Sequence, residues 1–265
     1  MRGTQMPATI ALISLGCAKN QVDSETMLGM LSRRGYRFTE EPARADIIII
    51  NTCGFIEDAK KEAIEQIFNA VRLKEAGLVR GVIVTGCLSQ RYRAEIAAEI
   101  PEADAFLGTT SEAHIAEAVE AVLRGEKFEM YDGAHDAPLF GSRILSTPPY
   151  TAYLKIAEGC DNRCSYCAIP IIRGPFRSTP IEPLAGQAQE LADGGVRELC
   201  VVAQDTTRYG EDLYGKRSLT ALLERLCSID RLRWIRLLYC YPEHITDELL
   251  DVMAAEDKVL NYMDI

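Results

Sequence analysis

The chain has 265 residues, 48% hydrophobic and 26% charged, with nine cysteines and a formal net charge of −10. That length allows one or two domains, and no apolar run approaches the ~20 residues that would cross a bilayer. The short apolar stretch near the N-terminus suits a buried strand better than a signal peptide, so a soluble, cytoplasmic protein is expected. Residues 1–150 carry 16 Lys and Arg against 21 Asp and Glu, and residues 151–265 carry 13 against 18. No basic domain hides in that average, which disfavours a phosphate-gripping role. In a reducing compartment, nine cysteines point to metal or redox chemistry rather than to a disulfide framework.

In chain order, ATIALISL (8–15) predicts a strand and SETMLGMLSRRG (24–35) a helix capped by Ser24 or Asp23. ADIIIIN (45–51) is a β-branched run suited to a strand buried on both faces, followed by a helix over 58–77. A strand at 81–86, a helix at 89–100, a weaker strand at 103–108 and a helix at 111–125 complete an alternation that argues for a parallel, doubly wound α/β domain over residues 1–125. Glycines and prolines interrupt the pattern over 126–150, which reads as an interdomain linker with room for some local structure. Alternation resumes over 151–265: strands at 152–158, 198–205, 234–242 and 261–265, and helices at 181–195, 219–228 and 246–256. Four strands and three helices cannot close a barrel, so an incomplete (βα) barrel and a fragment of a longer protein are expected.

Cys17, Cys53 and Cys87 each follow a predicted strand, in LISLGC, IIINTC and VIVTGC. In a parallel sheet those strand ends share the edge where α/β folds place ligands, so the three thiols should converge. Gly16, Gly54 and Gly86 beside them would let backbone approach a bulky ligand. The bland alternative for each is a buried free cysteine.

Residues 158–168 read EGCDNRCSYCA, placing Cys160, Cys164 and Cys167 in the spacing C-x3-C-x2-C after the first strand of the second half. A structural zinc site wants four ligands, and His114, His135 and His244 are remote in sequence. A redox pair in CSYC would leave Cys160 idle, and a ferredoxin-type electron carrier needs a fourth cysteine, which distant Cys200 or Cys240 would have to supply. A 4Fe-4S cluster held by three thiolates, with one iron open, makes the missing ligand useful.

This motif resembles that of the radical S-adenosylmethionine (SAM) superfamily, in which the open iron chelates SAM and cluster reduction yields a 5′-deoxyadenosyl radical. Together, SLGCAKNQVDSE (14–25), NTCGFIEDAKKE (51–62), TGCLSQ (85–90) and KIAEGCDNRCSYCAIPIIRG (155–174) resemble the methylthiotransferases along essentially the whole chain. That resemblance implies an auxiliary 4Fe-4S cluster on Cys17, Cys53 and Cys87, whose open iron takes the sulfur to be transferred. It implies a SAM-binding 4Fe-4S cluster on Cys160, Cys164 and Cys167, with Tyr166 and Gln204 near SAM. No catalytic residue beyond the cluster ligands is implied, the sulfur and electron donors are not identified by it, and the family's C-terminal β-domain is expected to be missing from this fragment.

Members acting on tRNA adenosine carry GCQMN-like, VVPYxRG-like and GQNV-like motifs, where this chain has GCAKN, AIPIIRG and AQDT. The resemblance is therefore nearer the branch that methylthiolates an aspartate β-carbon in the twelfth small-subunit ribosomal protein, with tRNA and a zinc-holding structural protein as alternatives. Arg163, Arg173, Arg177 and Arg208 stand in loops where a carboxylate clamp is conceivable, against a reading as ordinary surface charges. Cys200, Cys227 and Cys240 fall within strand and helix patterns, as core residues would.

Overall fold

A computed structural model describes residues 8–131 and 143–265, which fall into two compact units, 8–131 with 143–144, and 145–265. Among the described residues no helix is long and apolar enough to cross a membrane.

The first unit runs β1 (Thr9–Ser14), α1 (Ala18–Arg33), β2 (Arg37–Phe38), β3 (Ile47–Thr52), α2 (Glu57–Glu75), β4 (Gly81–Gly86), α3 (Cys87–Tyr92), α4 (Ala94–Glu99), β5 (Ala105–Leu107), α5 (Ile115–Leu123) and β6 (Phe128–Met130). Its strands form one parallel sheet in the order β2-β1-β3-β4-β5-β6. The chain leaves β1 for the edge strand β2, then crosses back to β3, so the topological switch point lies between β1 and β3.

The isoleucine run explains the double winding. Side chains alternate across a strand. Ile48 and Ile50 pack with Ala63, Ile67, Ala70 and Val71 of α2, while Ile47 and Ile49 pack with Met27 and Leu31 of α1 and Ile115 and Val119 of α5. The buried positions of α2 fall at i, i+4, i+7 and i+8, one helical stripe, with Glu57 and Asp58 in its first turn and Arg72 and Lys74 in its last.

Two expectations need correction here. Helix α1 begins at Ala18, with Cys17 at its cap position, so Ser24 and Asp23 are buried inside the helix. The Ser24 hydroxyl serves as a tertiary partner, donating to Ser14 Oγ at 2.9 Å. The helix expected over 89–100 is two short helices broken at Arg93, whose φ is +41°. Within the stretch read as linker, Phe128–Met130 forms the sixth strand, parallel to β5.

The second unit runs β7 (Thr151–Lys155), β8 (Ala157–Glu158), α6 (Ile169–Arg173), β9 (Arg177–Ser178), α7 (Ile181–Asp193), β10 (Glu198–Val202), α8 (Glu211–Tyr214), α9 (Leu219–Cys227), β11 (Trp234–Leu237), α10 (Asp247–Ala255) and β12 (Val259–Met263). Strands β7, β10, β11 and β12 form a parallel sheet in the order β12-β11-β10-β7, and β8 pairs antiparallel with β9. One face, carrying Leu154, Leu199, Val201, Ile235 and Leu237, packs on Leu184 and Ala188 of α7, Leu222 and Leu226 of α9, and Leu249 of α10. Helices on one face of a parallel sheet are the layout of an open arc of a (βα) barrel. The β8–β9 pair was not anticipated, because two-residue strands carry no periodicity to read.

Behind the close-spaced cysteines lies a buried charge triad. Glu158 Oε2 accepts from Lys155 Nζ at 2.8 Å and from an Arg173 NH group at 2.9 Å, with all three side chains nearly inaccessible. The Gly159 N–H donates to the other carboxylate oxygen at 3.1 Å. Burial pushes the Glu158 carboxyl up, but the adjacent Arg173 and Lys155 cations outweigh it and hold it well below the usual carboxylate range.

Ile49→Ala, at a site with no solvent exposure, should cost about 2–5 kcal/mol in chemical denaturation, and Leu78→Ala, at an exposed site, almost nothing. Equal effects would contradict the packing described. Glu158→Gln removes the negative charge that two buried cations share and should cost about 3–5 kcal/mol at neutral pH. Because folding lowers the Glu158 pKa, the triad's contribution is complete above the usual carboxylate range and is lost only as pH falls through the lower folded value. The stability difference between parent and variant should therefore persist down to about pH 4 and shrink only below it. A difference that vanished by pH 6 would count against the triad.

Candidate cluster sites at two parallel-sheet edges

The in-register pairing of β1, β3 and β4 aligns Ser14, Asn51 and Thr85 in one row across the sheet. Cys17, Cys53 and Cys87 lie two or three residues past that row, on the same edge. Asn20 ties the three loops together. Its side-chain amide donates to the carbonyls of Leu15 at 3.0 Å and Thr52 at 2.9 Å, and its side-chain oxygen lies 3.6 Å from Cys87 Sγ. Asn51 Nδ2 donates to the Asn20 carbonyl and to Ser24 Oγ, both at 2.9 Å, completing a buried polar floor with Ser14.

The three glycines behave differently from expectation, because the space they leave is occupied by protein. Gly16, at φ +89°, sits against the Cys53 side chain, Gly54 against the backbone at the start of α3, and Gly86 against Thr52 and Asn51. A side chain at Gly16 would displace Cys53. The glycines let the cysteine loops approach one another. Cys17 also stands at the opening of α1, where the helix dipole favours a negatively charged ligand. On the floor, the Thr85 hydroxyl and the Asn51 side-chain oxygen are buried with no hydrogen-bond partner, so polar capacity remains for a bound group.

In the second unit the loop 159–168 carries the other cysteines. Gly159, at φ +72°, runs so close to the Gly174 and Pro175 carbonyls that no side chain fits, and the Cys160 N–H donates to the Gly174 carbonyl at 3.1 Å. Cys167 N–H donates to the Cys164 carbonyl at 3.0 Å, closing a turn that projects Tyr166 outward at 83% exposure. Burial, and then the charges of Asp205, Cys167 and Cys164, push the Cys160 thiol up, against a main-chain hydrogen bond from Asn162.

Asp205, buried just past β10, organises this edge. Its Oδ2 accepts from Asn162 Nδ2 at 2.8 Å and lies 2.9 Å from His244 Nδ1, while its Oδ1 accepts from the Thr207 hydroxyl at 2.6 Å. The His244 ring lies 5.3 Å from that of Tyr241, whose hydroxyl is 3.7 Å from Cys164 Sγ. His244, remote in sequence, thus stands beside the cysteine loop in space. His135 lies outside the described residues. Neither Asp205 nor Tyr241 was singled out from sequence; the signal available was their shared position, four residues past paired Val201 and Leu237. Gln204 is half-buried beside Asp205.

Two of the candidate clamp arginines are already engaged. Arg173 belongs to the Glu158 triad, and Arg208 pairs with Glu211 at 2.7 Å and donates to Asn162 Oδ1 at 3.1 Å. Arg163 has φ +50° within the cysteine loop, and Arg177 lies in β9. Cys227 and Cys240 are pushed up to about 12 chiefly by burial, and burial also raises Cys200, as suits protonated core thiols. Among the described residues, no three His, Cys, Asp or Glu side chains converge tightly enough to hold a single metal ion.

Two family profiles match in order: "Uncharacterized protein family UPF0004" over residues 9–108 and "Radical SAM superfamily" over residues 154–265. A relative from Lachnoclostridium phytofermentans, named ribosomal protein uS12 methylthiotransferase RimO, is 52% identical over 97% of this chain and 58% of its own length. One of the same name from Pelotomaculum thermopropionicum is 54% identical over 98% of this chain and 59% of its own. The chain thus spans under two thirds of the length of these relatives. Among solved structures, the radical S-adenosylmethionine methyltransferase TsrM from Kitasatospora setae superposes with a TM-score of 0.61 at 14% identity, covering 94% of this chain and 57% of that one. The cobalamin-dependent S-adenosylmethionine radical enzyme OxsB gives 0.53 at 12%, covering 94% and 41%; these two likenesses concern the fold alone. With both profiles in the expected order and half-identical relatives along nearly its whole length, the chain belongs to the radical SAM methylthiotransferase family.

Proposed function

We propose that this chain is the two-cluster part of a methylthiotransferase that modifies a small-subunit ribosomal protein, working in the cytoplasm. The observation that carries the reading is the repetition of one device. Each unit presents three cysteines at the C-terminal edge of a parallel sheet, over a buried polar anchor, Asn20 in one and Asp205 in the other. A mononuclear zinc would need its thiolates gathered at about 2.3 Å from one point. Three cysteines without a fourth ligand suit a cubane cluster with each thiolate on its own iron.

Cys160, Cys164 and Cys167 would hold the cluster that binds SAM, and Cys17, Cys53 and Cys87 the auxiliary one. When bound, these groups supply one electron, a radical able to take hydrogen from an unactivated C–H bond, and the methylated sulfur. The chain's own residues bind and orient. Asp205 fixes the cysteine loop through Asn162, the Glu158 triad braces the strand that leads into it, and Asn20 sets the spacing of the other three loops. Exposed Tyr166 and half-buried Gln204 stand on the same edge as candidates to contact SAM. The acidic chain favours a protein substrate over tRNA, as do the names of its half-identical relatives.

Anaerobically reconstituted chain should bind about eight irons, and replacing Cys160, Cys164 and Cys167 by Ala, or the other three by Ala, should each halve that number. Stoichiometric zinc without iron would favour the structural alternative. SAM should perturb the EPR spectrum of the reduced protein; an unperturbed spectrum would favour an electron carrier. For the full-length protein, a methylthio mass increment on the ribosomal protein is expected, and one on tRNA alone would move the substrate assignment.

A further inference from the structure

We propose that Tyr241 is a positioning residue for the close-spaced cysteine set: its phenol donates a hydrogen bond to the Cys164 sulfur and raises the reduction potential of the cluster held there. The inference rests on the cluster reading above and concerns a residue outside the cysteine motif by more than seventy positions.

Tyr241 follows β11 by four residues, at the same edge as Asp205, and places its hydroxyl 3.7 Å from Cys164 Sγ. That separation suits an O–H···S bond, given the size of sulfur. A thiolate bonded to iron carries no proton, so the phenol alone can donate. The ring is fixed from two sides by one carboxylate. Its main-chain N–H donates to the Thr207 hydroxyl oxygen at 3.2 Å, and that hydroxyl donates to Asp205 Oδ1 at 2.6 Å. Its ring lies against His244, tilted by 34°, and His244 Nδ1 is 2.9 Å from Asp205 Oδ2.

The same Oδ2 accepts from Asn162, two residues before Cys164. Cys164 is therefore held from its own loop and from the end of β11, with Asp205 common to both. A phenol fixed this firmly loses little freedom in making its bond to sulfur. A hydrogen bond to a ligating sulfur withdraws electron density from it, so the reduced cluster, carrying one more electron, is stabilised more than the oxidised one.

The test uses the chain with Cys17, Cys53 and Cys87 replaced by Ala, so that one cluster is titrated. Three forms are compared: Tyr241, Tyr241→Phe and a site-specific 3-fluorotyrosine, whose phenol is the stronger donor. Anaerobic redox titration followed by EPR should give midpoint potentials rising in the order Phe, Tyr, fluorotyrosine, at equal iron content and unchanged thermal unfolding. Fluorotyrosine adds one small atom, so its upward shift would stand even if the Phe variant assembled poorly. Equal potentials in all forms that bind iron would overturn the role of Tyr241 alone. Failure of the parent form to bind iron at Cys160, Cys164 and Cys167 would overturn the cluster reading, and the tuning role with it.

Discussion

In-register parallel pairing is the constraint on which both sites depend. Adjacent strands lie about 4.8 Å apart, and in a parallel sheet their C-terminal ends open on one edge. Residues separated by a whole βα unit therefore meet there without any local sequence signal. The row Ser14, Asn51, Thr85 shows this in the first unit, and the pair Val201, Leu237 shows it in the second. Cys17, Cys53 and Cys87 lie within three residues of the first row, and Asp205 and Tyr241 four residues past the second pair.

The two edges solve one problem with different materials. Three separate loops bring one cysteine each in the first unit, and a neutral amide, Asn20, holds them by reading their main-chain carbonyls. In the second, one loop brings all three, and a buried carboxylate holds it against the ends of two other strands. Asp205 is buried yet well supplied with donors, which is the condition under which a buried charge is tolerable. The Glu158 triad follows the same rule.

Much of this was legible from sequence because its signals are periodic or compositional. The isoleucine run announced a strand buried on both faces, and the cysteines after strand-like segments announced a shared edge. What was missed has physical reasons. Ser24 looked like a helix cap because serine satisfies open N–H groups and tertiary partners equally well; here it serves Ser14 and Asn51 inside a helix that opens at Cys17. Strands β2, β8 and β9 have two residues each, too few for a period. His244 was judged by sequence distance, whereas β10–β11 pairing brings it beside Asp205. For Arg173 and Arg208 the sequence leaves a carboxylate clamp and ordinary ion pairing both open, and Glu158, Glu211 and Asn162 engage them in the structure.

The central claim is that each cysteine trio holds a cubane with one iron outside thiolate ligation. Mössbauer spectroscopy of the anaerobic chain reconstituted with iron-57 addresses it directly. The account predicts two cubane clusters, in each of which one iron in four is distinct, with one of the two distinct signals shifting when SAM is added. Clusters with four equivalent thiolate-ligated irons and no response to SAM would contradict it.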